Sequence, residues 1–168
     1  MGFFSKKTPE EKANKKEKSV AFMGAPLQPI GKIPMNKLTF IKLNPIDKVM
    51  IITHEKIEIT LPYDRIRGFK IDSETTLAKS GGTIGRALVG GALFGGAGAV
   101  VGGMSGKGNT KTKWIATLSY VDKDGKPQEL LFLQWGLTGP YEGERNELPF
   151  EKVVNEIVSR YSEDITEL

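Results

Sequence analysis

Ile57-Glu58-Ile59-Thr60-Leu61-Pro62-Tyr63-Asp64-Arg65-Ile66-Arg67-Gly68-Phe69-Lys70-Ile71 is the stretch on which the fold turns. Its first five residues alternate apolar and polar, the period of a strand with one wet and one buried face. Pro62 ends that strand, because a residue without an N–H cannot extend a ladder. Alternation resumes at Ile66, and Gly68 permits a bend or bulge there. Two more strands lie upstream: Leu38 to Leu43, closed by Asn44-Pro45, and Val49 to Thr53, followed by His54-Glu55 as an exposed turn. Connections of only about two to five residues favour an antiparallel meander of these four strands.

The strand pattern returns at Lys113. Trp114 to Val121 reads as a long strand, Asp122-Lys123-Asp124-Gly125 as a hairpin turn, and Glu129 to Trp135 as the returning strand. A polar loop follows from Gly136 to about Glu147. After Pro149 the period becomes helical, with Phe150, Val153, Val154, Ile157, Val158 and Tyr161 on one stripe and Glu151, Asn155, Glu156 and Arg160 opposite. A helix with one apolar stripe must lay it on something, and the open end of a small β-barrel is the natural acceptor. The expected class is α+β, mainly β: an antiparallel barrel of about six to seven strands capped by the C-terminal helix.

Between the two strand groups, residues 73–111 form an insert of unusual composition. The chain has 20 glycines, and twelve of them lie between Gly81 and Gly108. From Ala87 to Gly106 no side chain is charged. Small residues recur every four positions at Ala87, Gly91, Gly95, Ala99 and Gly103, with a second row at Gly98, Gly102 and Gly106. That spacing lets helix backbones approach closely. Each glycine costs about 1 kcal/mol in a water-exposed helix, so the segment needs close packing or a dry surrounding.

Ala87-Leu88-Val89-Gly90-Gly91 is echoed by Ala99-Val100-Val101-Gly102-Gly103, with Gly95-Gly96-Ala97-Gly98 between them as a turn. We therefore expect two short helices, ~84–94 and ~97–105, packed on their glycine faces as a hairpin. Each would be ~15 Å long, half the thickness of a bilayer's hydrocarbon. The strands on either side should belong to one sheet, so the insert must leave and return on one side. Ile84, Leu88, Leu93, Phe94, Val100, Val101 and Met104 then face outward, towards lipid, an identical hairpin of another subunit, or the outer face of the chain's own barrel. Lys79, Arg86, Lys107, Lys111 and Lys113 cluster around the mouth, as a basic membrane interface would have it.

The Leu61-Pro62-Tyr63-Asp64-Arg65-Ile66 junction, the glycine-rich insert, the Asp122–Gly125 hairpin and the closing helix together resemble the bacterial pleckstrin-homology-like (PH-like) family, some of whose members carry a glycine-zipper insert at this place. The resemblance covers residues ~37–162. It implies a barrel and capping helix used for binding, a scaffold that serves many partners.

Composition narrows the chemistry. No cysteine is present and His54 is the only histidine, so thiol nucleophiles and His–His metal pairs are excluded. Gly96 to Gly102 imitates a dinucleotide fingerprint but lacks the upstream strand, and Ser105-Gly106-Lys107-Gly108 lacks the Ser or Thr that a phosphate loop requires. Asp122 and Asp124 read as turn formers, Tyr63 as a ring packed at the strand junction, Trp114 and Trp135 as core or rim. No catalytic residue, cofactor or metal is expected, and no enzyme.

Residues 1–36 hold seven lysines against three glutamates, which accounts for the whole net charge of +4. The remainder is balanced, and no nucleic-acid partner is expected. We read 1–36 as a flexible basic arm, 37–162 as the PH-like domain and 163–168 as a tail. The functional expectation is a cytoplasmic module held peripherally at the membrane by its apolar hairpin, with Lys6, Lys7, Arg65, Arg67 and Lys70 adding attraction to an anionic surface. The alternative is a soluble interaction module whose hairpin packs on identical subunits, as a homo-oligomer, or on a protein partner's helix.

Overall fold

The alternating stretches become seven strands: β1 Ala21–Pro26, β2 Thr39–Asn44, β3 Val49–His54, β4 Ile57–Pro62, β5 Ile66–Ser73, β6 Trp114–Val121 and β7 Pro127–Gln134. Three helices accompany them, α1 Pro9–Lys18, α2 Glu74–Lys79 and α3 Pro149–Glu163, with a 3₁₀ turn at Tyr63–Arg65. This computed structural model describes residues 7–79, 112–136, 139, 141 and 148–163. The expected glycine hairpin, ~84–105, lies outside the described residues.

All strands are antiparallel in one sheet of order β4-β3-β2-β1-β7-β6-β5. One face of every strand feeds a single cluster that includes Phe22, Ile41, Met50, Ile52, Phe69, Leu118 and Phe132, and α3 closes it with Phe150, Val153, Val154 and Ile157. The sheet coils around this cluster at β1, whose first half pairs with β2 and whose second half pairs with β7. Gly24 belongs to both ladders. A Cβ there would sit 2.6 Å from the Phe22 ring and 2.9 Å from Phe132, so only glycine fits the corner.

Two expectations are corrected. The four upstream strands are not one meander: β2, β3 and β4 pair in sequence, but β5 crosses to β6. Nor does the sheet close into a barrel, because its terminal strands, β4 and β5, do not pair. Pro62 and the 3₁₀ turn redirect the chain between them. Past the turn, the register shifts between Ile66 and Gly68, so Ile66 and Phe69 share the buried face although three positions apart.

The helix expected to lie on the core also occupies the β5 edge. Asn155 Oδ1 accepts the Phe69 N–H at 3.1 Å, and Asn155 Nδ2 donates to the Phe69 carbonyl at 2.9 Å. One turn earlier, Glu151 Oε1 accepts the Ile71 N–H at 3.2 Å. Opposite the apolar stripe, both residues read from sequence as solvent-facing; they instead stand in for the missing strand neighbour. Spacing i, i+4 on α3 reaches alternate residues of β5, which is how a helix can satisfy a sheet edge. Replacing Asn155 by alanine strands both Phe69 groups and should cost about 2 kcal/mol in urea unfolding, with increased light scattering as the edge is bared.

Residues 9–26 also depart from the expected arm. Thr8 Oγ1 accepts the Glu11 N–H at 3.2 Å, Glu11 returns a bond to the Thr8 N–H at 2.9 Å, and Pro9 starts the helix. Local capping thus forms a polar helix that composition alone reads as solvated. What docks it is Glu17, almost fully buried.

Candidate functional site

Three regions position the residues singled out by sequence. The first is the foot of the glycine insert. Strand β5 ends at Ser73 opposite Trp114, where β6 begins, and the Glu74 N–H donates to the Lys113 carbonyl at 3.0 Å. The two ends of residues 74–113 are therefore side by side, as the sheet argument required. The Ser73 hydroxyl accepts the Thr76 N–H at 3.1 Å and starts α2, which runs to Lys79.

Leu77 of α2 packs on the outer face of β6 and β7 with Leu27, Ile115, Leu131, Leu133 and, at its margin, Trp135. This second cluster explains why β7 is apolar on consecutive residues: Leu130 and Phe132 face the interior while Leu131 and Leu133 face outward, and both faces are covered. Trp114, on the opposite face, packs partly buried against the interior.

The second region holds the basic residues. Arg65 ends the 3₁₀ turn and Arg67 is the second residue of β5, six or more residues from its Ser73 end, about 20 Å along an extended strand. They are thus not grouped with Lys113 at the insert's foot. Arg67 is exposed yet turns back to donate to the carbonyls of Asp64 (2.6 Å) and Ile66 (3.1 Å). Lys70 pairs with Asp72 at 2.9 Å on the outer face. Lys7 is exposed ahead of α1. Lys6, Arg86, Lys107 and Lys111 lie outside the described residues, as do the contact residues Ile84, Leu88, Leu93, Phe94, Val100, Val101 and Met104 and the packing residues Ala87, Gly91, Gly95, Gly98, Ala99, Gly102 and Gly103.

The third region was not foreseen. Between α1 and α3 runs a groove of about 380 Å³ lined by Ala13, Lys16, Glu17, Val153, Glu156 and Arg160. At its floor Glu17 accepts from Arg160 on one oxygen and from the Tyr63 hydroxyl, at 3.1 Å, on the other. Lys16 pairs with Glu156 at 2.6 Å over the rim. Tyr63 is buried edge-on to Tyr161, and burial, followed by the Glu17 charge, pushes its phenol far above the ordinary range. The ring packs at the junction between β4 and β5, as its sequence context predicts. A buried acid contacting two donors could have been sought from the Thr8-x-x-Glu11 cap, but its partners come from distant parts of the chain.

Two smaller positions complete the picture. Asp122 Oδ1 accepts from the Asp124 and Lys126 N–H groups, both at 2.9 Å, which makes it the turn former and holds its carboxyl below the usual range. His54 corrects an expectation: it ends β3, its ring is largely covered, and Nδ1 lies 2.8 Å from the Leu38 carbonyl. Among the described residues no three His, Asp or Glu side chains converge as a metal site would need, and no helix is long and apolar enough to cross a membrane.

Compared with known proteins, residues 32–121 match the family described as a glycine zipper containing PH domain. The match begins in the loop before β2, spans the insert and ends with β6. No curated protein and no solved structure matches the chain.

Proposed function

The chain belongs to the family of glycine-zipper-containing PH domains, and from that premise we propose that it is a non-enzymatic module held at the cytoplasmic membrane surface by its glycine-rich insert. The observation that carries the reading is the pairing of the insert's two ends, Ser73 with Trp114 and Glu74 with Lys113. An insert whose two ends meet at one corner of a sheet leaves and returns on one side, and on this reading the 20-residue uncharged run inside it enters a bilayer shallowly instead of crossing it. Lysines at both ends, Lys79 and Lys113 with Lys107 and Lys111 near them in sequence, supply attraction to anionic headgroups, about 1 kcal/mol for each residue close to the surface. Arg65 and Arg67 lie at the opposite end of β5 from Ser73, so on this reading the attraction rests on the insert's own flanks and the N-terminal lysines, with Lys70 between the two ends.

Flotation with phosphatidylserine-containing liposomes tests this. The wild-type chain should float, and Leu88→Asp with Val101→Asp should lose most of that binding, because a charge at the apolar face costs several kcal/mol to bury in lipid. Equal flotation of both would remove the membrane reading. The family's glycine zipper favours a second reading, self-packing of the insert through Gly91 and Gly102. In that case the wild-type chain would form a defined oligomer in the absence of lipid, and Gly91→Leu or Gly102→Leu would dissolve it.

A further inference from the structure

Two strands terminate this sheet, and they are treated differently. The edge of β5 is covered by Asn155 and Glu151. The outer edge of β4 makes no hydrogen bond among the described residues beyond its ladder with β3. Along it, Glu58 and Thr60 are exposed on the outer face, while Ile57 and Ile59 are only half-buried against the interior cluster. A six-residue strand with free backbone groups and incompletely covered isoleucines is a template for another strand.

We propose that β4 pairs antiparallel with β4 of a second copy, about a two-fold axis through Ile59. The sequence singles out this register. Residues directly opposite must point to the same face, so the axis has to pass through a residue and not between two. Centred on Glu58, the strand's one charged residue would meet its own copy. Centred on Thr60, Glu58 would face Pro62, which has no N–H to give. Centred on Ile59, Glu58 faces the Thr60 hydroxyl twice by symmetry, Ile57 faces Leu61, and Ile59 faces Ile59, extending both apolar interiors across the joint. The contact is isologous and closes at two copies. It is independent of the insert, so its failure and that of the membrane reading are distinguishable.

Sedimentation equilibrium of the full chain over a concentration series tests the pairing. The wild type should show a monomer–dimer equilibrium. Thr60→Glu sets two carboxylate pairs face to face and should raise the dissociation constant about tenfold, whereas Thr60→Lys sets two lysines opposite Glu58 and should lower it. Thr60 is exposed, so both variants should retain the wild-type circular dichroism. A monomer at every concentration, or a dimer indifferent to both substitutions, overturns the proposal.

Discussion

Truncating Phe150 to alanine should cost the fold about 4 kcal/mol, read as a lowered midpoint in urea unfolding. Its ring is buried, edge-on to Phe69 at 5.1 Å between centroids and 6.0 Å from Phe22. The loss therefore combines transferred area, an unfilled cavity and an aromatic contact. It also loosens the first turn of α3, next to Glu151, which bonds β5. Amide exchange at Phe69 and Ile71 should quicken in the variant more than exchange within β2 and β3. Leucine at the same position fills most of the space and should cost about 1 kcal/mol.

The second large effect should come from Arg160, and its size relative to Glu17 is the informative part. Glu17 has a side chain 4% exposed, whereas that of Arg160 is 52% exposed. Removing Arg160 leaves a buried carboxylate with the Tyr63 hydroxyl as its remaining side-chain donor among the described residues, at a cost of about 3 kcal/mol. Removing Glu17 takes the buried charge away, lets Arg160 hydrate and orphans one hydroxyl, at a cost of about 1 kcal/mol. Arg160→Ala should therefore be the more destabilising of the two, and the double variant should resemble Glu17→Ala. Equal losses below about 0.5 kcal/mol would mark an ordinary surface pair.

Local pattern was enough wherever one face of an element is wet. Ile57 to Leu61 alternates because its outer face meets water, and α3 shows its stripe because Phe150, Val153, Val154 and Ile157 all turn one way. It failed at β1. Ala21 to Pro26 is the strand that turns the corner of the sheet; most of it is buried and Gly24 and Pro26 interrupt it, so neither period nor propensity betrays it. It failed also for Glu151 and Asn155. Polar residues beside an apolar stripe look solvated until the strand edge they satisfy is known. The barrel expectation failed for the same reason, since closure depends on whether β4 and β5 meet.

Periodicity, turn chemistry and the distribution of glycine by themselves determined that this is an antiparallel β domain with a closing helix and a glycine-rich insert between two strands of one sheet. Those features are set by interactions within a few residues, which a linear text records. Only the tertiary structure decided that β4 and β5 do not pair, that α3 covers the β5 edge while no described residue pairs with the outer edge of β4, and that a glutamate from a polar helix is buried between Tyr63 and Arg160. Each of these joins groups far apart in the chain, and the desolvation that makes such a contact matter exists only once the chain has folded around it.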